Sequence, residues 1–211
     1  FQMWFQRKVP GLTATDLLTG PEGVKLARRI AEAAHKLHQA NLAVEREHTM
    51  TDELRILREC LAKVAALRPD WSGRLERLMA GAERLGGSFT PARSCGIHRD
   101  FYPAQVIVDD ARLCLIDFDL FCWGDPGLDI GNFIGHLLEA GLRVPDSAQA
   151  QRAAADALAD RFVELTGAAV RRSVEAYTTL TLIRHIYLST QFSERAHTTE
   201  ALLDLCEARL K

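Results

Sequence analysis

Residues 98–129, HRDFYPAQVIVDDARLCLIDFDLFCWGDPGLD, decide the reading of this chain. They set seven aspartates (Asp100, Asp109, Asp110, Asp117, Asp119, Asp125 and Asp129) among strand-like apolar runs, opposed only by Arg99 and Arg112. Carboxylates held close together in apolar surroundings repel one another and lose hydration. They stay ionised where a cation sits among them, and a divalent metal is the simplest candidate. Gln105–Val108 reads as a short strand, Asp109-Asp110 as a turn and Arg112–Ile116 as a second strand, which predicts a hairpin. A tight hairpin brings the start of one strand beside the end of the next, so Gln105 and Asp117 are expected side by side. Asp125-Pro126 reads as a cap followed by a first-turn proline, opening a helix through about Ala140.

Outward from this stretch the pattern is helical. Residues 1–9 read as a strand closed by Pro10-Gly11. Thr13 or Thr15 caps a short helix through Leu18, and Pro21 suits the first turn of a helix to about Ala40. Ala27, Ile30, Ala31, Ala34, Leu37 and His38 stand at helical spacing there. Thr51 is placed to cap a helix with Leu54, Leu57, Leu61 and Val64 on one face, broken at Arg68-Pro69. Another carries Leu75, Leu78, Met79, Ala82 and Leu85 and stops at Gly86-Gly87. The chain changes character after Pro91. Beyond the central stretch, helices are expected over 147–166, 169–191 and 195–210. The fold class is therefore α+β, mainly α, with one central hairpin.

The chain has 211 residues, enough for one sizeable domain or one large lobe. With 47% hydrophobic and 26% charged residues it has the material for a core, which argues against disorder. A formal charge of −2 gives no reason to expect a nucleic-acid or membrane surface. Five cysteines at irregular spacing, with no C-x-x-C pair, read as free thiols in a reducing, cytoplasmic setting.

Moving a phosphoryl group needs a carboxylate to orient the attacking hydroxyl and take its proton, and oxygen ligands to hold magnesium on the nucleotide phosphates. Asp100 in the loop before the hairpin, Gln105 at its start and Asp117 at its end supply these groups. His98-Arg99-Asp100, Leu115-Ile116-Asp117-Phe118-Asp119 and Gly124-Asp125-Pro126-x-x-Asp129 resemble the aminoglycoside phosphotransferase and choline kinase-like superfamily. The three motifs occur in the superfamily's order. The likeness covers the C-terminal lobe of that kinase-like fold. The opening FQRKVPG resembles its hinge, and Leu37-His38 fits the end of its long helix.

The resemblance implies an ATP-dependent (or GTP-dependent) kinase of small molecules that transfers phosphate to a sugar-like, aminoglycoside-like or amino-alcohol hydroxyl. Asp100 would be the catalytic base and His98 a structural member of its loop. Asp117 would chelate magnesium with Gln105, and Asp119 would belong to the same metal set. Asp125 would cap the following helix and Asp129 would brace the loop. Gln6, Arg7 and Lys8 would meet adenine through their backbone. Residues 1–11 would form the hinge-like segment, 51–87 an acceptor-side helical region, 96–130 the catalytic and metal-binding segment and 131–211 the helical remainder.

Two departures stand out. The family carries asparagine where this chain has Gln105. Neither a G-x-G-x-x-G turn nor an upstream strand lysine is present. The nucleotide-covering N-terminal lobe is therefore expected to be absent, to be supplied by a longer chain or a second one.

Plainer readings stand beside these. Asp100 also reads as a turn residue, Asp117 as a strand-end carboxylate, Gln105 as a strand-edge amide and Asp119 as a solvated acid. His35 and His38 read as packed or surface histidines, and Trp123 as either a pocket wall or a packing residue. The main alternative function is a degenerate kinase-like domain that binds or regulates without catalysis.

Overall fold

The computed structural model describes residues 8–88 and 93–211. The expected strand over 1–9 and the adenine contacts of Gln6 and Arg7 lie largely outside them. Lys8 is exposed and, like Val9 and Pro10, belongs to no regular element.

Strand β1 (Leu12–Thr13) leads into a single helical turn, α1 (Ala14–Leu17), with Thr13 at its N-cap. Helix α2 (Gly23–His38) begins two residues after Pro21, which precedes the Glu22 cap instead of lying in the first turn. Its buried face, Leu26, Ala27, Ile30, Ala31, Ala34 and His38, follows the predicted spacing. Helix α3 (Met50–Leu67) is capped by Thr49, not Thr51. The Thr49 amide and hydroxyl both donate to the Asp52 carboxylate, at 2.9 and 2.8 Å, closing a capping box. Helix α4 (Ser72–Gly86) follows a short turn at Pro69, where proline cannot continue α3.

The hairpin forms as β3 (Val106–Asp109) and β4 (Arg112–Leu115), with Asp109 facing Arg112. Its loop is therefore Asp110-Ala111, one residue later than predicted, and Asp110 takes the left-handed conformation that Asp tolerates (φ 49°). β1 adds a third, antiparallel strand against β3. A separate two-stranded ladder pairs β2 (Cys95–Ile97) with β5 (Cys122–Gly124). Neither β2 nor β5 was legible in the sequence. Three residues with a glycine in each offer no alternation to read.

Helix α5 (Pro126–Arg143) runs through the middle of the helical mass, and α6 (Ala148–Thr166), α7 (Val170–Gln191) and α8 (Thr199–Arg209) complete it. Fourteen residues of α5 are buried. Gly127, Gly131 and Gly135, one turn apart, let α7 approach its backbone. A Cβ at Gly131 would lie 2.7 Å from the backbone nitrogen of Thr178. The predicted stripe on α7 is the core: Val174, Tyr177, Leu180 and Ile183 are buried and Tyr187 half-buried. All five cysteines are free thiols. No helix among the described residues is long and apolar enough to cross a membrane. The mainly helical α+β class holds, and its hairpin is joined by a second small ladder.

Candidate active site

The β2–β5 ladder shapes the site. It pairs Ile97 with Cys122, so the chain leaves β2 into His98-Arg99-Asp100 directly beside the segment that follows Asp117. Gly124 is required here, because a Cβ would meet Ile97 at 2.6 Å and the carbonyl of His48 at 2.9 Å.

Asp129, on the first turn of α5, is fully buried and accepts three hydrogen bonds. The backbone N–H of His98 donates to Oδ2 at 2.9 Å and that of Arg99 to Oδ1 at 2.7 Å. His38 Nε2, at the end of α2, donates to Oδ2 at 2.8 Å. A carboxylate only accepts, so the His38 proton sits on Nε2. Asp125 caps α5, accepting from the Gly127 N–H and the Ser173 hydroxyl, both at 2.8 Å.

His98 is fully buried. Its Nε2 donates to the carbonyl of Ile116 at 2.8 Å, and its Nδ1 is buried without a partner. The ring lies against Phe118 at 4.8 Å and Phe101 at 5.7 Å. The loop presenting Asp100 is thus tied to the residue just before Asp117. Arg99 (φ 70°) and Asp117 (φ 64°) both hold left-handed backbone, which non-glycine residues keep only where their surroundings over-determine it.

Gln105 and Asp117 meet as the hairpin argument predicts. The Ile116 N–H donates to the Gln105 carbonyl at 3.0 Å, and Gln105 Nε2 donates to Asp117 Oδ2 at 3.2 Å. Gln105 is buried within a short turn (Pro103–Gln105) just ahead of β3. Asp100 is half-buried, and Asp117 and Asp119 are exposed. Burial first, then the charges of Asp100 and Asp117, push the Tyr102 phenol upward, so both carboxylates act on one hydroxyl. The Asp119 contact runs through its backbone, whose carbonyl accepts from Arg46 at 2.5 Å.

The crowded-aspartate premise needs correction. Asp109 is half-buried in the hairpin, and Asp110, Asp117 and Asp119 face solvent. Of the seven only Asp125 and Asp129 are buried, and both accept hydrogen bonds from N–H or hydroxyl donors of the chain itself. Among the described residues no three His, Cys, Asp or Glu side chains cluster as a metal cage. A magnesium ion that bridges nucleotide phosphates needs only one or two protein carboxylates. The exposed Asp117 carboxylate beside the Gln105 amide fits that demand, given an amide rotation that turns the Gln105 oxygen inward.

A polar chain behind the loop was not anticipated. Asn132 Nδ2, one turn after Asp129, donates to the Phe101 carbonyl at 3.0 Å. Its Oδ1 accepts from Arg184 at 2.5 Å, and Arg184 lies 3.6 Å from Glu53, which accepts from His48 at 2.6 Å. Burial favours the protonated form of Glu53, but His48 and Arg184 outweigh it and hold the carboxyl below its usual range. The available signal was a lone amide in the apolar run Ile130–Leu138. Burial pushes Cys95 to about 12 and Cys122 to about 11, which excludes thiolate chemistry beside the loop. Trp123 borders a cavity of about 440 Å³ that His38 also lines, and neither Asp100 nor Asp117 reaches it.

Solved structures share this architecture. A choline/ethanolamine kinase family protein from Mesorhizobium loti superposes with a TM-score of 0.66 at 15% identity, covering 96% of this chain and 67% of its own. A glucosamine kinase bound to glucosamine, ADP and inorganic phosphate gives 0.64 at 18%, covering 96% and 58%. A choline kinase from Streptococcus pneumoniae gives 0.58 at 14%, covering 95% and 66%. The chain thus spans roughly three-fifths to two-thirds of their length, and at such identities the likeness speaks for the fold. No curated protein matches the sequence. Residues 2–177 match the model of the phosphotransferase enzyme family, and the chain belongs to that family.

Proposed function

We propose that this chain carries the catalytic loop of an ATP-dependent phosphotransferase acting on a hydroxyl of a small molecule. One observation carries the reading. The Asp129 carboxylate grips the backbone of His98 and Arg99 while the His98 ring holds Ile116, so the loop bearing Asp100 and the turn bearing Asp117 are fixed to each other.

Asp100 orients the acceptor hydroxyl and takes its proton as the oxygen attacks the γ-phosphorus and the bond to the β-phosphate oxygen breaks, releasing ADP. His98 serves structure and not proton transfer, because Nε2 is committed to a carbonyl and Nδ1 faces no partner. Asp117 and the Gln105 amide oxygen would hold magnesium, which neutralises phosphate charge when bound. Residues 6–8 serve the adenine side, and 51–87 reach the loop through Glu53 and Arg184. Asp125 and Asp129 set the first turn of α5 and, through it, the loop.

The test is magnesium-dependent transfer from ATP to a panel of sugars, sugar acids, amino sugars, aminoglycosides and amino alcohols, with Asp100→Asn beside the parent. The substitution is expected to lower the rate by about 10²–10⁴-fold. An unchanged rate removes Asp100 as the base. A binding-only domain is the second reading, favoured by the Gln105 amide nitrogen facing Asp117. Calorimetric titration with Mg-ATP separates the two. No magnesium-dependent binding favours a domain that has lost its nucleotide site, and transfer to any acceptor rules out binding alone.

A further inference from the structure

We propose that the cavity beside Tyr102 binds the anionic group, carboxylate or phosphate, of a small hydroxylated acceptor, with Arg195 as its counter-charge. This rests on the phosphotransferase reading of Asp100 and adds the acceptor's chemical class.

The cavity holds about 250 Å³ and its polar walls include Tyr102, His136, Glu139, Arg143, Gln151 and Arg195. It starts two residues beyond Asp100. The Tyr102 ring stacks on His136 at 4.6 Å, which fixes that wall.

The charge balance decides the ligand. Glu139 and Arg143 pair with each other at 3.3 and 3.4 Å and cancel. Arg195 is left over. Its guanidinium lies over the Phe192 ring at 4.9 Å, its Nε is buried without a partner, and no carboxylate among the described residues forms an ion pair with it. Gln151, 8% exposed, carries a buried amide oxygen without a partner, which suits a ligand hydroxyl and not the anionic group itself. His136 and His185 add no positive charge, because burial and then neighbouring charges, Arg184 and Arg195 among them, keep both neutral. Arg195 is half-buried with its Nε cut off from any partner, and a ligand carboxylate or phosphate would supply the partner its guanidinium lacks. An ammonium group placed there meets uncompensated positive charge. Tyr102, two residues after Asp100 in the chain, lines the cavity together with Arg195. An acceptor anchored on Arg195 would therefore lie against Tyr102, in the loop that carries the base.

Calorimetry on the full chain, without nucleotide, tests this with gluconate, glucose 6-phosphate and glucosamine. Saturable binding of gluconate or glucose 6-phosphate is expected, and which of the two binds more tightly identifies the anionic group. Glucosamine should bind at least about tenfold more weakly, and Arg195→Gln should weaken the preferred anion at least about tenfold at unchanged melting temperature. Arg195→Lys should recover part of the loss. Tighter binding of glucosamine, insensitivity to Arg195→Gln, or no saturable binding of either anion overturns the proposal. Anion binding without any phosphate transfer refutes the transferase reading alone. Phosphorylation of amines with acids ignored refutes this proposal alone.

Discussion

Asp129→Asn isolates the brace behind the loop. The native carboxylate is fully buried and accepts from the His98 N–H, the Arg99 N–H and His38 Nε2, at 2.9, 2.7 and 2.8 Å. Asparagine keeps one oxygen and turns an NH₂ group toward the donors on the other side. With the oxygen on His98 and His38, the Arg99 N–H loses its acceptor. An unsatisfied buried N–H costs about 1–3 kcal/mol, and losing the charge from the two surviving bonds adds about 1–2 kcal/mol. The total is about 2–5 kcal/mol, a large share of the ~5–15 kcal/mol that holds a domain folded. Urea unfolding measures it, read at constant m so that the shift in midpoint reports stability. Amide hydrogen exchange should show lost protection at Arg99 before the core helices open. A loss below about 1 kcal/mol with Arg99 protection intact would refute the claim that this carboxylate holds the loop.

Other outcomes follow from the same coordinates. Gly131→Ala sets a Cβ 2.6 Å from that of Tyr177 and 2.7 Å from the Thr178 nitrogen, and should cost about 1–3 kcal/mol by urea unfolding. A neutral effect would mean that α5 and α7 separate freely. Burial, then neighbouring arginines, lower His185 to about 3, and His136 is lowered well below its ordinary value. Between about pH 6.5 and 3 the unfolded chain protonates His185 while the folded chain does not, so stability falls as the pH falls by about 1.4 kcal/mol per unit, and His136 acts in the same direction. His185→Gln should flatten that slope, and an unaltered slope between pH 4 and 6.5 would place the acid sensitivity elsewhere.

Local signals carried the reading wherever the chemistry is local. Asp125-Pro126 announces a capped helix whatever surrounds it, because the cap bond to Gly127 spans two residues. The α2 and α7 faces appear as helical spacing because each helix buries one side or more. Errors arose where two adjacent residues offered the same chemistry. Thr49 caps in place of Thr51 because Asp52 stands at the box position only for Thr49. The hairpin loop slipped one residue because Asp109 pairs with Arg112 across it.

The sequence by itself determined the order of the helices among the described residues, the hairpin, and the juxtaposition of Gln105 with Asp117, since each depends on neighbours in the chain. Only the tertiary structure decided which aspartates are buried and what balances them. Asp129 meets His38, 91 positions away, and Asn132 meets Arg184, 52 positions away. Contacts at such separation leave no periodicity, because they are set by how helices cross and not by the repeat within any one of them. The pattern of acids suggested a shared cation. Burial shows instead that the two innermost carboxylates are held by backbone, hydroxyl and imidazole donors, while Asp100 is half-buried and Asp117 and Asp119 stand at the surface.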